Sequence, residues 1–159
     1  MEVGVAMSDP ISHLEVLANN PFIFATSMLD FYAKLGSKKH SLLLAYLVLP
    51  IALQEERRKF LKNAKSTSNL RTMSGKNGAF NGLSELVEDY KTITNATLQY
   101  LISAGAIRID GDAIMVERAL EGHDSPAPRG LEKATATLAR FFIPYEVPVI
   151  YRMVGVYSL

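Results

Sequence analysis

Residues 78–117 read GAFNGLSELVEDYKTITNATLQYLISAGAIRIDGDAIMVE, and this stretch decides the fold. From Phe80 to Tyr90, Leu83, Leu86, Val87 and Tyr90 recur at the 3.6-residue spacing of one helix face. Thr92, Ile93, Thr94 and Asn95 follow, a group rich in helix-capping residue types, and predict a short turn. A second helix then carries Ala96, Leu98, Leu101 and Ile102. It stops at Gly105, the residue type that most readily takes the left-handed conformation just beyond a helix. Ile107 and Ile109 alternate with Arg108 and Asp110. Asp110-Gly111 predicts a two-residue hairpin turn, after which Ile114 and Val116 continue the apolar face.

Two helices followed by a β-hairpin is the order of a winged helix. The expected fold class is therefore mainly α with a small β-hairpin (α+β). A winged-helix-like unit spans 77–118, an N-terminal helical region 1–76 precedes it, and a linker at 119–130 leads to a C-terminal helix and tail at 131–159. All of these are expected to share one compact domain. The unit lacks the side chains of a DNA reader. From Thr92 to Gly105 there is no Lys or Arg, and Asn95 and Gln99 are the only long polar side chains suited to base edges. The predicted wing sets Asp110, Asp112 and Glu117 against Arg108 alone, a balance that phosphates repel. The unit reads as one that touches protein.

Upstream, residues 1–18 are weakly patterned and predict an arm or short helix. Asn20 is an expected helix cap, with Pro21 in the first turn. The helix runs to about Leu35, with Phe22, Ala25, Met28, Leu29 and Tyr32 on its buried side. Gly36-Ser37 ends it and Lys38-Lys39-His40 is a polar connector. Ser41 is expected to cap SLLLAYLVLPIAL (41–53), apolar on nearly every face and so the central buried helix. Pro50 predicts a kink or break near Leu47 to Leu49. EERRKFLKNAK (55–65) continues it as a charged extension, and Thr67-Ser68 caps a short helix, NLRTM. Downstream, ALEGHDSPAPRG (119–130) reads as the linker. The last helix places Leu131, Ala134, Leu138 and Phe141 in register and ends before Pro144. The tail YEVPVIYRMVGVYSL (145–159), interrupted by Pro148, is either extended or one more short helix.

The chain has 159 residues, 48% of them hydrophobic, enough for a real core. No uninterrupted apolar run reaches the roughly 18 residues of a membrane span, and the N-terminus lacks the pattern of a secretory signal. The absence of cysteine excludes thiolate metal sites and disulfides and fits a cytoplasmic protein. The net charge of +1 hides a division. Residues 34–76 carry ten Lys or Arg against two Glu, whereas residues 77–132 carry four basic residues against nine acidic. Such a division suits two different partners.

No catalytic constellation emerges, and no cofactor or metal is expected. Ser74-Gly75-Lys76-Asn77 lacks the earlier glycine and the hydroxyl of a phosphate loop. His13, His40 and His123 are far apart in sequence. His123-Asp124-Ser125 names the members of a hydrolase triad, but adjacent residues cannot take its geometry. Glu55-Glu56 and Glu88-Asp89 read as solvated helix faces. The strongest chemical signal is the basic run Arg57, Arg58, Lys59, Lys62 and Lys65, with Arg71 beyond. It reads as a solvated face, or as a face for nucleic acid or for an acidic partner surface. In the tail, Val149, Ile150, Tyr151 and Val154 either pack on the core or meet a partner; Asn95 and Gln99 are further partner candidates.

Several stretches taken in order carry a family resemblance: Asn20-Pro21, LLLAYLVLPIAL, Thr67-Ser68-Asn69-Leu70, YKTITNATLQYLISAGAIRID and VPVIYRMVGV. Over roughly residues 19–156 the chain resembles the middle component of bacterial three-component ABC systems, anti-phage and anti-plasmid systems related to Lamassu. The resemblance implies no catalytic residue. It implies an adapter between an SMC- or Rad50-like ABC ATPase and an effector, often a nuclease, held silent until the ATPase engages foreign DNA. Weak or indirect DNA contact is expected, and no membrane. The alternative reading is a winged-helix transcription regulator.

Overall fold

A computed structural model describes residues 21–120 and 127–159. The expectations at Asn20, at residues 1–18 and at His123-Asp124-Ser125 lie outside the described residues. The chain order is α1 (Phe22–Leu35), a 3-10 turn (Ser41–Leu44), α2 (Ala45–Ala52), α3 (Glu55–Lys62), α4 (Leu70–Ser74), α5 (Leu83–Asp89) and α6 (Lys91–Ser103). Then come β1 (Ile107–Asp110), β2 (Ala113–Val116), α7 (Leu131–Phe142) and α8 (Val147–Val154). The chain is mainly α with one antiparallel hairpin, as the sequence predicts.

α1 packs chiefly on α7 and also on α6. Its burial extends beyond one stripe to Phe24, Met28, Phe31, Tyr32 and Leu35. Phe22, expected on the buried side, is 54% exposed, and its ring meets the edge of Tyr100 at 4.6 Å. Phe24 and Ala25 of the same first turn face the core, and Phe22 lies off that side. Gly36 ends α1 as expected, with its N–H donating to the Tyr32 carbonyl. The connector is more than polar filler: Lys38 Nζ donates to the carbonyls of Ile143 and Tyr145, satisfying the end of α7 where acceptors lack helical partners.

α2 is the buried centre that its composition implies. Every residue from Ala45 to Ala52 is buried except Tyr46, which is half-buried. Of the kink or break expected near Leu47 to Leu49, the break does not occur; the α-helix runs through Pro50 to Ala52. Packing on all faces outweighs the single main-chain donor that proline lacks. The helix instead stops two residues later, so the expected charged extension is a separate helix, α3. Gln54 caps it, its Oε1 accepting from the Arg57 main-chain N–H at 2.8 Å. Nor does Ser41 cap a helix. It is fully buried, its Oγ accepts the Ile114 N–H at 2.9 Å, and its carbonyl accepts Tyr32 Oη at 2.7 Å. The cap of α4 is Asn69 rather than Thr67-Ser68. Asn69 Oδ1 accepts the Thr72 N–H and Thr72 Oγ1 accepts the Asn69 N–H, a reciprocal capping box.

In the deciding stretch, the first helix begins at Leu83, three residues later than expected, because residues from Lys76 to Gly82 form turns. The predicted turn at Thr92 to Asn95 is helix. α5 and α6 are separated by Tyr90 alone. Ile93, Thr94 and Thr97 are buried on α6, and Thr97 Oγ1 donates to the Ile93 carbonyl, so packing overrides the capping preference of these residues. α6 ends as predicted. Ala106 N–H donates to the Leu101 carbonyl and Gly105 N–H to the Ile102 carbonyl, with Gly105 at φ +71°. In the hairpin Asp110 pairs with Ala113, so the loop is Gly111-Asp112, one residue beyond the predicted pair. Only Gly111 takes positive φ, as a type II′ turn requires. Ile107 and Ile114 are buried, while Ile109 and Val116 are more than a third exposed; the hairpin lies on the body along a diagonal.

α7 matches its predicted limits, with Leu131, Ala134, Leu138 and Phe141 buried. The tail resolves to the helical alternative, with Pro148 in the first turn of α8, where no N–H is missed, and Gly155 closing it.

Candidate functional site

The predicted basic face divides on inspection of its partners. α3 is a short amphipathic helix with Arg57 and Leu61 on its inner side. Arg57 is 6% exposed. Its Nε donates to the Ala79 carbonyl at 2.9 Å and its Nη2 to the Asn81 carbonyl at 2.8 Å, and the guanidinium lies 5.9 Å from the Phe80 ring. Arg57 therefore clamps the loop ahead of α5 onto α3. Its Nη1 has no hydrogen-bond partner, and no carboxylate pairs with it among the described residues. Burial pushes the guanidinium below its ordinary pKa. Arg58 is half-buried, and its Nη1 donates to the carbonyls of Leu53 and Ala52, the orphan acceptors at the end of α2. Both arginines hold structure.

The other four predicted basic residues, Lys59, Lys62, Lys65 and Arg71, are exposed. Lys59 pairs with Glu55 at 3.4 Å, one turn away. The stem of Lys62 crosses Gly130. Lys65 lies in the loop after α3, whose carbonyls at Lys65 and Ser68 accept from Arg140. Two cations lie outside the predicted basic face. Arg140 fixes this loop from α7, and Lys76 stands 5.1 Å over the Phe60 ring. Helical spacing alone could not find either, because both act across elements.

Between α3, the loop after it, and the returning segment Lys76 to Asn81 lies a cleft of about 630 Å³. Arg57, Lys59, Lys65 and Lys76 line it together with Glu56, four cations against one carboxylate. Phe60, Ala64, Met73 and Ala79 supply its apolar surface.

The second group of candidates separates in the same way. Asn95 and Gln99 lie on the exposed side of α6, but Asn95 Oδ1 accepts Tyr46 Oη at 2.6 Å. Ile150 and Val154 are core residues at 0% and 2% exposure, and Val149 is half-buried. Tyr151 is half-buried too; its hydroxyl donates to the Leu43 carbonyl, and burial raises its pKa well above the ordinary value. Beside it, an apolar groove of about 500 Å³ is lined by Leu43, Val147, Tyr151, Val156, Tyr157 and Leu159, among others. Tyr157 is 82% exposed.

The hairpin is acidic and exposed at Asp110 and Asp112 of its tip and at Glu117 of its base. Arg108 Nε donates to Glu117 Oε1 at 2.6 Å, which cancels the one wing cation. Among the described residues no group of His, Asp and Glu is placed to hold a metal ion, and no helix is long and apolar enough to cross a membrane.

A family model described as ABC-three component (ABC-3C) system Middle Component 3 matches residues 8–158, close to the span of the resemblance read from the sequence. No curated protein and no solved structure gives a match.

Proposed function

From its membership of the ABC-three component system middle component 3 family, to which the chain belongs, we propose that it is a non-enzymatic adapter subunit of a bacterial defence complex. It bridges an SMC-like ABC ATPase and an effector, and controls the release of that effector when the ATPase engages invading phage or plasmid DNA of the kind that Lamassu-related systems oppose. The observation that carries this reading is the family match across nearly the whole chain.

The geometry supports it. The helix–helix–hairpin unit suits a winged-helix reading: its hairpin tip is acidic, and the α6 face that presents Asn95 and Gln99 carries one cation, Lys91, already paired with Glu88. A duplex carrying one charge per about 1.7 Å finds no unpaired cation on that face among the described residues. The buried Arg57 and the half-buried Arg140 hold loops, and two surface grooves of different character, one basic and one apolar, lie on the same small body. Two unlike grooves suit two unlike protein neighbours.

The test is co-expression of the tagged chain with its neighbouring genes, followed by mass determination of the eluted assembly. A stable complex containing a large ABC ATPase is expected. A lone monomer or dimer that shifts one specific promoter fragment would overturn the adapter reading in favour of a transcription regulator.

A further inference from the structure

We propose that the cleft beneath Lys65 and Lys76 is a docking site for an acidic, apolar-anchored peptide segment of a partner protein. The cleft is built, not incidental. Arg57 clamps the segment from Ala79 to Asn81 onto α3, and Arg140 holds the carbonyls at Lys65 and Ser68 on the opposite side. Both walls are thus fixed from beneath, and a preorganised groove loses little freedom on binding. Its volume of about 630 Å³ takes several side chains.

The charge is what selects the occupant. Four cations face one carboxylate. Lys59 is already compensated by Glu55, but Lys65, Lys76 and Arg57 make no ion pair among the described residues. Arg57 contributes a charge set into the floor, where screening by salt is weaker than at the surface. Carboxylates entering the cleft meet this field, while Ala64 and Ala79, both half-buried in its lining, offer apolar contact for anchors between them. The side-chain amides of Asn63 and Asn77 line the cleft and make no hydrogen bond among the described residues, leaving donors and acceptors for a peptide main chain.

The same residues disfavour nucleic acid. Single strands bind where aromatic faces are free to stack bases. Lys76 covers the Phe60 ring, and Phe141 meets it edge-on at 6.4 Å. Glu56 on the wall, and Glu55 beside it, oppose phosphates. A peptide can place its acids selectively beside Lys65 and Lys76, which a uniformly charged backbone cannot.

This inference takes from the adapter reading only the existence of a partner, and its test can be run without one. The probe is a short fluorescent peptide of alternating glutamate and leucine, titrated into the isotope-labelled full chain. Amide shifts confined to 56–81 are expected, with affinity falling as salt rises. The double variant Lys65→Glu, Lys76→Glu, both exposed positions, should bind about tenfold more weakly with an unchanged melting temperature. Binding unaffected by that variant, shifts elsewhere, or tighter binding of an oligothymidine at the same amides would each overturn the proposal. Co-expression separates the two readings: the double variant is expected to lose one partner and keep the other. If it retains every partner while the peptide fails to bind, the cleft proposal falls and the adapter role stands.

Discussion

Arg57 Nη2 donates to the Asn81 carbonyl at 2.8 Å, across 24 positions of sequence, and joins α3 to the entrance of α5. A residue that reads as part of a solvated basic stripe is a clamp. Arg57→Ala would leave the carbonyls of Ala79 and Asn81 without their donors and uncover the Phe80 ring. The expected loss is about 2–3 kcal/mol in urea unfolding, since hydrogen bonds from charged donors contribute more than neutral ones. Lys62→Ala, exposed on the same helix, should stay within about 0.5 kcal/mol of the parent.

Ser41→Ala removes the acceptor of the Ile114 N–H in a fully buried position. The orphaned donor should cost about 1–2 kcal/mol. Hydrogen exchange at the Ile114 amide is the local readout and should accelerate well beyond the amides of α7.

Asp112 is held below its ordinary pKa, chiefly by the hydrogen bond to His40. A carboxylate depressed in the folded state stabilises it above the unfolded pKa of about 4, and that contribution disappears as pH falls through the lower folded value. Asp112→Asn should therefore lower the melting temperature at pH 5 to 6 and converge on the parent in stronger acid. A difference that grew with acidification would contradict the assignment.

Gly105 takes φ +71° beyond α6, and a Cβ there would lie 3.2 Å from the Arg118 guanidinium. Gly105→Ala is expected to cost about 1–2 kcal/mol from the left-handed backbone alone, read as a lower denaturant midpoint at constant slope.

Ile150→Ala should destabilise the isolated chain by about 2–4 kcal/mol as a cavity in the core. Tyr157→Ala, at a position 82% exposed, should leave stability unchanged. If the apolar groove serves the complex, Tyr157→Ala acts there, with loss of a co-purifying subunit at unaltered melting temperature.

The helix-rich class, the hairpin and the buried centre at Leu47 to Ile51 were legible from periodicity, because burial on all faces and period-2 alternation are properties of the chain itself, but the separation of α3 from α2 was not. Element limits were less so. Thr92, Ile93 and Thr94 look like a turn by residue type, yet the interior of the fold takes Ile93 and Thr94 into α6, and no local signal carries that. Pro50 misled in the same way. The basic residues were legible as a cluster but not as roles. A guanidinium at a helix surface and one clamping two carbonyls have the same sequence, and Arg57 differs from Lys59 only in which side of α3 the loop at Ala79 chooses to cover. Ile150 and Val154 were apolar on paper and core in the fold, whereas the partner-facing reading needs an exposed side chain such as Tyr157.

The hairpin is fastened at its tip as well as its base. The carbonyl of Asp112 accepts the Leu42 N–H, the Asp112 carboxylate pairs with His40, and Glu117 N–H returns to the Ala106 carbonyl at the other end. A projecting hairpin anchored only at its root would bend there under load and absorb whatever pulls on it. This one has no such compliance. Displacing Gly111-Asp112 means moving the Ser41–Leu44 turn, and with it the first turn of the central helix α2. The acidic end of the molecule is mechanically continuous with its centre, so a neighbour that grips the hairpin works against the whole core at once.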